Sequence, residues 1–399
     1  MTELVFIFNV FNNLYCMAPL SFWEKESFFA PQDIIIVGSG FVGLWSALQL
    51  KIKNPSHKIT ILERGIIPTG ASTRNAGFSC FGSPGELIAD ADTMGEEAMW
   101  QLVEMRYRGL LEIRQHFSAA SIDYDACGGY ECFTHHSTDW NDCFTKIDWL
   151  NEGLKIITGE ENLFKIADEK IADFGFSGFD HLIENKLEAG LQPGKLVQAL
   201  LQKVQGMGVQ ILTGIEVKSF QSHYHGIELE TAASSFEGDN LKFTAHQLLL
   251  CTNAFTQQLF PAIDIIPNRG QVLITNPIQH LKIKGTFHFD KGYYYFRNVG
   301  NRLLLGGARN KAFEMENTLE LQTTSFIQLA LEEFIQRHLL PGTVYTITDK
   351  WSGIMAMGSE KKPIVKSISP NVFCCVRMGG MGVALAPMVA KEVASLMSL

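Results

Sequence analysis

The residues best suited to chemistry lie early in the chain, in Gly38-Ser39-Gly40-Phe41-Val42-Gly43. Glycines at this spacing suit a phosphate cradle. The first allows a tight turn, the second lets the backbone approach a pyrophosphate, and the third lets a helix pack on a strand. A helix starting here offers unpaired N–H groups and its positive dipole end to an anion. Glu63 lies 20 residues past Gly43, where an acid bonds ribose hydroxyls. The implied chemistry is binding of a dinucleotide, and the acid repels the extra phosphate of NADP. This motif does not separate NAD from FAD.

A second group sits late in the chain, in Tyr293-Tyr294-Tyr295-Phe296-Arg297. Arginine grips a carboxylate by two parallel hydrogen bonds, so Arg297, just before a hairpin turn, is the candidate for a substrate carboxylate. On a strand Tyr293 and Tyr295 share one face and Tyr294 takes the other; one face is expected to line a pocket. A salt-bridged edge-strand arginine and packing tyrosines are the alternative. His135-His136 and the other histidines show no metal-ligand spacing. No CxxC pair exists among the 8 cysteines. No metal is expected, and the histidines read as structural or surface residues.

The elements that must position these residues are legible in outline. Ile34 to Val37 is an apolar β-forming run, as in a strand buried on both faces. The helix FVGLWSALQLK follows and stops at Asn54-Pro55. KITILE is the next strand, and RGIIPTGASTRNAGFS after it reads as a loop of small residues. Residues 94–117 carry one apolar helical face, and 122–133 read as strand and turn. Residues 192–220 form a helix-to-strand unit opened by Pro193, and HQLLLCTNAF is another buried strand. Residues 267–309 alternate as antiparallel strands with a hairpin at Val299-Gly300-Asn301. Residues 318–340 read as one amphipathic helix, and the chain ends as strand, glycine turn and helix.

Taken together, GSGFVG, LERG, GASTRNAG, LLLCTNAF, PNRGQVLIT, YYYFRNVGNRLLLGGARN and MGGMGVALAP resemble the D-amino-acid-oxidase-type FAD-dependent amine oxidoreductases. That group includes glycine, sarcosine and γ-glutamylputrescine oxidases, and the YFR…RLLLGG hairpin is most similar to the last branch. The resemblance implies an α/β plus α+β fold. A discontinuous Rossmann-like FAD-binding domain (31–100, 190–260 and 345–399) would carry an inserted antiparallel-sheet substrate domain (101–189 and 261–344), after an N-terminal extension at 1–30.

By this resemblance Gly38, Ser39, Gly40 and Gly43 hold the FAD pyrophosphate and Glu63, with Arg64 beside it, the adenosine ribose. Ala71, Ser72, Arg74, Asn75 and Gly77 run beside the pyrophosphate and isoalloxazine. Val217 touches the adenine, and Thr252, Asn253 and Gly353 add to the cofactor site. Gly379, Gly380, Met381 and Gly382 lie near the flavin, with a helix N-terminus aimed at its O2. Trp351 falls in a segment near the flavin and is a candidate for the substrate site, with a core tryptophan as the alternative. Two departures stand out. No cysteine occurs at 353–360, so FAD is expected to be non-covalent. The strand at 302–306 reads Arg-Leu-Leu-Leu-Gly, without the lysine that assists oxygen in sarcosine-oxidase-like members. Oxygen or another electron acceptor therefore remains open.

The implied activity is oxidation of a small amine or amino acid by hydride transfer to flavin N5, followed by hydrolysis of the imine. An FAD-dependent 2-hydroxy-acid dehydrogenase, an NAD-dependent dehydrogenase and a non-enzymatic flavin-binding electron carrier are the alternatives. The chain has 399 residues, 46% hydrophobic and 19% charged, and a net charge of −9. It is a globular chain of about two domains. The acidity argues against nucleic acid as partner. Scattered thiols suit a reducing cytosol, so a cytoplasmic location is expected. Glu3 and Asn9, Asn12 and Asn13 interrupt the apolar start, and no Lys or Arg precedes Lys25. Neither a signal peptide nor a membrane span is expected there. Met17 is a plausible start, with residues 1–16 as an upstream extension.

Overall fold

A computed structural model describes residues 20–224, 226–233 and 241–397. Residues 1–16, including Cys16, and the alternative start Met17 lie outside the described residues. Of the extension expected at 1–30, Phe22–Ser27 form a short helix. Ser21 caps it by accepting the Glu24 N–H at 3.2 Å, while Glu24 accepts the Ser21 N–H at 2.6 Å. Phe29 then packs on Phe243, ring centres 5.3 Å apart, which docks this segment against the first sheet.

The first sheet has five parallel strands at its centre, in the order Val372–Val376, Lys242–Leu250, Gln32–Val37, Ile59–Glu63, Gln210–Thr213. Gln32–Val37 is the first of them in the chain and the middle one in space. The strand that follows it lies on one side and a strand from much later in the chain on the other, so the winding diverges from it. The crevice at its carboxyl end is where such sheets place ligands. Its residues are buried on both faces, which explains the unbroken apolar run. The antiparallel strands of this sheet are Ile364–Ser369 and the pair Ile215–His223 and Gly226–Ala233.

Helices Phe41–Lys53, Glu96–His116 and Gly382–Leu396 cover one face of this sheet. The last two meet closely: a Cβ on Gly109 would lie 1.8 Å from the Ala384 carbonyl oxygen. The apolar face read at 94–117 is buried through Met99, Leu102, Val103, Leu110 and Ile113, and the helix starts at Glu96. A separate helix, Pro84–Met94, precedes it and is not foreshadowed by the small-residue loop. Cys374 and Cys375 face opposite sides of their strand, Cys375 packing with the residues of helix Gly382–Leu396 and Cys374 with Ile35, Leu248 and Leu250, and all described cysteines are free thiols.

The second sheet has eight strands and contains Ile266–Thr275, Thr286–Phe289, Tyr294–Val299, Arg302–Gly307 and Ile347–Met357. It is antiparallel except where Thr286–Phe289 runs parallel to Gly129–Phe133. Those two strands come from distant parts of the chain, so no hairpin imposes the antiparallel direction. The helix expected over 318–340 is shorter. It runs Ser325–Phe334 behind a Thr324 cap and ends in a π turn at Ile335–Leu339. Thr324 accepts the Ile327 N–H and starts the helix there.

Candidate active site

Between the two sheets lies a cavity of about 730 Å³, within the roughly 300–1,000 Å³ usual for cofactor and small-molecule sites. Gly38 turns with φ 103° and donates its N–H to the Leu62 carbonyl at 2.8 Å. A Cβ there would lie 2.8 Å from the Cys251 carbonyl oxygen. A Cβ on Gly43 would lie 2.0 Å from the Gly38 carbonyl oxygen, so only glycine lets the helix rest on the turn. The helix has no side-chain cap at Gly40, and Phe41 donates its N–H to Ser72 Oγ at 2.8 Å. Gly38, Gly40, Phe41 and Val42 line the cavity, whereas Gly43 lies behind it.

Ser39 departs from the expected role. It is fully buried, off the cavity wall, and donates its N–H (3.0 Å) and hydroxyl (2.7 Å) to Glu63 Oε2. It holds the acid rather than a phosphate. Glu63 also accepts the Gly65 N–H at 2.9 Å and lines the cavity with Arg64 and Val217. The Arg64 guanidinium lies 3.8 Å from the Phe255 ring centre.

The loop of small residues runs along the cavity through Ala71, Ser72, Arg74, Asn75 and Gly77. Asn75 braces it by donating to the Ala71 and Ser72 carbonyls and accepting from the Gly77 N–H. Arg74 donates to the carbonyls of Thr69 and Ser352, tying the loop to the second sheet. Trp351 donates its indole N–H to the Arg74 carbonyl at 3.0 Å. It packs behind the loop near Ala76, Val272 and Leu304, off the cavity wall, so its expected place in the substrate site is corrected.

Thr252, Asn253, Gly353 and the run Gly379–Gly380–Met381–Gly382 also line the cavity. Helix Gly382–Leu396 begins there without a side-chain cap or an acidic residue in its first turn. Its free N–H groups leave an anion-attracting end.

At the other end Tyr293 and Tyr295 line the cavity, while Tyr294 stacks on Phe334 with ring centres 4.5 Å apart. A Cβ on Gly306 would lie 2.4 Å from the Tyr295 ring, so that ring occupies the space a longer side chain would need. Arg297 does not reach the cavity wall. Its buried guanidinium donates to the Gly77 carbonyl at 2.6 Å and the Leu191 carbonyl at 3.0 Å. Those carbonyls take the place a substrate carboxylate was expected to fill.

Arg309 reaches it instead. Gly307 (φ 127°) and Ala308 (φ 60°) turn the chain after the hairpin and aim Arg309 at the cavity. Its Nη1 donates to Asn268 Oδ1 at 2.7 Å, and its guanidinium lies 5.3 Å from the Tyr293 ring centre. Among the described residues it makes no ion pair. Burial lowers its pKa from the ordinary arginine value. The GGARN ending of the hairpin was the available signal for it.

His288, read as structural or surface, also lines the cavity. Its Nε2 lies 2.9 Å from Glu188 Oε2, which also accepts from Thr286 Oγ1 at 2.8 Å. Burial opposes the imidazolium, but the charge and hydrogen bond of Glu188 outweigh it and hold the pKa at about 9. Behind it, burial raises the Glu131 carboxyl to about 7, although its Oε2 accepts the Gly85 N–H at 2.7 Å. Among the described residues no cluster of His, Cys, Asp and Glu is placed to hold a metal ion.

Residues 33–396 match the model of the FAD dependent oxidoreductase family. The chain belongs to that family. It is an enzyme, and its cofactor is FAD. The bifunctional protein ThiO/ThiG of Synechocystis is 22% identical over 91% of this chain, which spans 51% of that protein. The glycine oxidase of Geobacillus kaustophilus is 24% identical, with 69% of each chain covered. The L-proline dehydrogenase of P. horikoshii shares the fold, with a TM-score of 0.73 at 18% identity over 92% of this chain and 93% of that one. Among the described residues, no helix of this oxidoreductase is long and apolar enough to cross a membrane.

Proposed function

We propose that this oxidoreductase oxidises a small amine or amino acid that carries a carboxylate. The observation that carries the reading is Arg309, a half-buried cation on the cavity wall without an ion-pair partner among the described residues, flanked by Tyr293 and Tyr295. Such a guanidinium suits a planar carboxylate. The names of the relatives, glycine oxidase and L-proline dehydrogenase, support the same substrate class.

The residues fit FAD. Gly38 and Gly40 form a cradle that a Cβ would fill, beside an uncapped helix start. They would hold the pyrophosphate without covalent attachment, and Glu63 the ribose. The Ala71–Gly77 loop and Gly379–Gly382 would flank the flavin. When bound, FAD supplies a two-electron acceptor at N5 for the hydride leaving the substrate carbon next to nitrogen; the imine then hydrolyses, and oxygen or another acceptor takes the electrons onward. The protein's own part is positioning. Arg309 would orient the carboxylate, and the tyrosine rings would exclude water. The carboxylates on the wall, Glu63, Glu86, Glu216 and Glu360, each already face a hydrogen-bond donor or a cation. The amine therefore binds neutral and needs no side-chain base.

The test is a visible spectrum of the purified protein followed by anaerobic addition of amines with and without a carboxylate. Bleaching of a yellow protein by carboxylate-bearing amines is expected. Bleaching only by 2-hydroxy acids, or by nothing, would overturn the proposal.

A further inference from the structure

Arg309 is not the sole unmatched cation at its end of the cavity. Lys291 also lines it, at the turn preceding Tyr293. Asp290 and Lys291 both adopt left-handed backbone, φ 54° and 52°, which sets this turn. Two contacts join it to the loop of Arg309: Asn310 donates to Asp290 at 2.7 Å, and Ala308 donates its N–H to the Tyr293 carbonyl at 2.9 Å. Asp290, the nearest acid in sequence, is thus engaged by an amide. Asp139 feels the charge of Lys291 but makes no ion pair with it within 4 Å. Of the other cations on the wall, Arg106, Lys361 and Arg377 are each paired with a carboxylate. Arg64, over the Phe255 ring, and Arg74, held by the Thr69 and Ser352 carbonyls, sit beside the dinucleotide cradle and its loop rather than at this end.

We infer that the substrate is an amine carrying two carboxylates, one met by Arg309 and the second by Lys291. This rests on the proposed amine oxidation and narrows its substrate. At this end of the cavity two cations without a carboxylate partner, and no unmatched carboxylate among the described wall residues, favour a dianion and repel a second ammonium. Aminodicarboxylates and iminodiacetate-like amines fit, whereas diamines do not. The bond chemistry stays that of amine oxidation, and neither cation takes part in it.

The experiment compares kcat/KM of the holoenzyme for aspartate and glutamate of both hands and iminodiacetate with that for glycine, alanine and sarcosine. Putrescine serves as the diamine. A dicarboxylate preference of about tenfold or more is expected. Lys291→Met should cut that ratio about tenfold, and Lys291→Arg should keep it. Binding of the redox-inert dicarboxylate succinate, read as a shift of the flavin absorption, should weaken in Lys291→Met. Equal use of both classes, or a ratio unmoved in Lys291→Met, overturns the inference and leaves amine oxidation standing. Oxidation of no amine overturns both.

Discussion

Ser39 gives both its backbone N–H and its hydroxyl to the same oxygen of Glu63, at 3.0 and 2.7 Å. A hydrogen bond to a charged group contributes about 1.5–3 kcal/mol, so Ser39→Ala should loosen the acid. About tenfold weaker FAD binding is expected, and a larger loss in Glu63→Gln. Titration of apoprotein by flavin fluorescence quenching measures both. Unchanged affinity in both variants would remove Glu63 from the ribose site.

Arg309 and Arg297 should separate in their effects. Arg309→Met is expected to raise KM for a carboxylate substrate by about a hundredfold, with flavin content retained. Arg297→Met should instead lower stability, because the buried Leu191 carbonyl loses its donor at about 1–3 kcal/mol, while the Gly77 carbonyl keeps the Leu191 N–H. Steady-state kinetics and thermal melts of the two proteins decide this. A KM defect confined to Arg297→Met would reverse the assignment.

Gly43→Ala places a methyl carbon where the Gly38 carbonyl oxygen is 2.0 Å away. The helix must move off the turn that forms the phosphate cradle. A sharp fall in the ratio of bound flavin to protein is expected, together with a lower melting temperature. Full flavin content would show that the turn tolerates the shift.

The fold raises His288 from 6.5 to about 9 and Glu131 from 4.5 to about 7. A raised pKa contributes stability below the unfolded value and loses it as pH climbs through the folded one. Stability should therefore fall between about pH 4.5 and 7 through Glu131, and between about pH 6.5 and 9 through His288. Glu131→Gln keeps an acceptor for the Gly85 N–H and should remove the first decline, on the order of 3 kcal/mol. Urea melts at several pH values read it; the same slope in the variant and the parent would refute the assignment.

Much of the fold was legible because its signals are local. The run Ile34–Val37, the glycines and Glu63 lie within one short strand–helix–strand unit, and hairpin Tyr294–Gly307 announces itself by alternation and a glycine turn. Helix Pro84–Met94 was not legible from the loop residues before it. The helix expected at 318 begins only at Ser325, because Thr324 caps it there.

The sequence by itself determined the cradle and its acid, since both depend on spacing within one strand–helix–strand unit. Tyr293 joins Tyr295 on the wall from the turn before strand Tyr294–Val299, not by strand alternation. Which arginine faces the cavity was decided only by tertiary structure. Arg297 is claimed by the carbonyls of Gly77 and Leu191, 220 and 106 residues away. Arg309 is turned inward by the left-handed backbone at Ala308. Hydrogen-bond competition over such distances leaves no pattern in the chain, so the guanidinium free for a ligand emerges only when the two sheets are packed together.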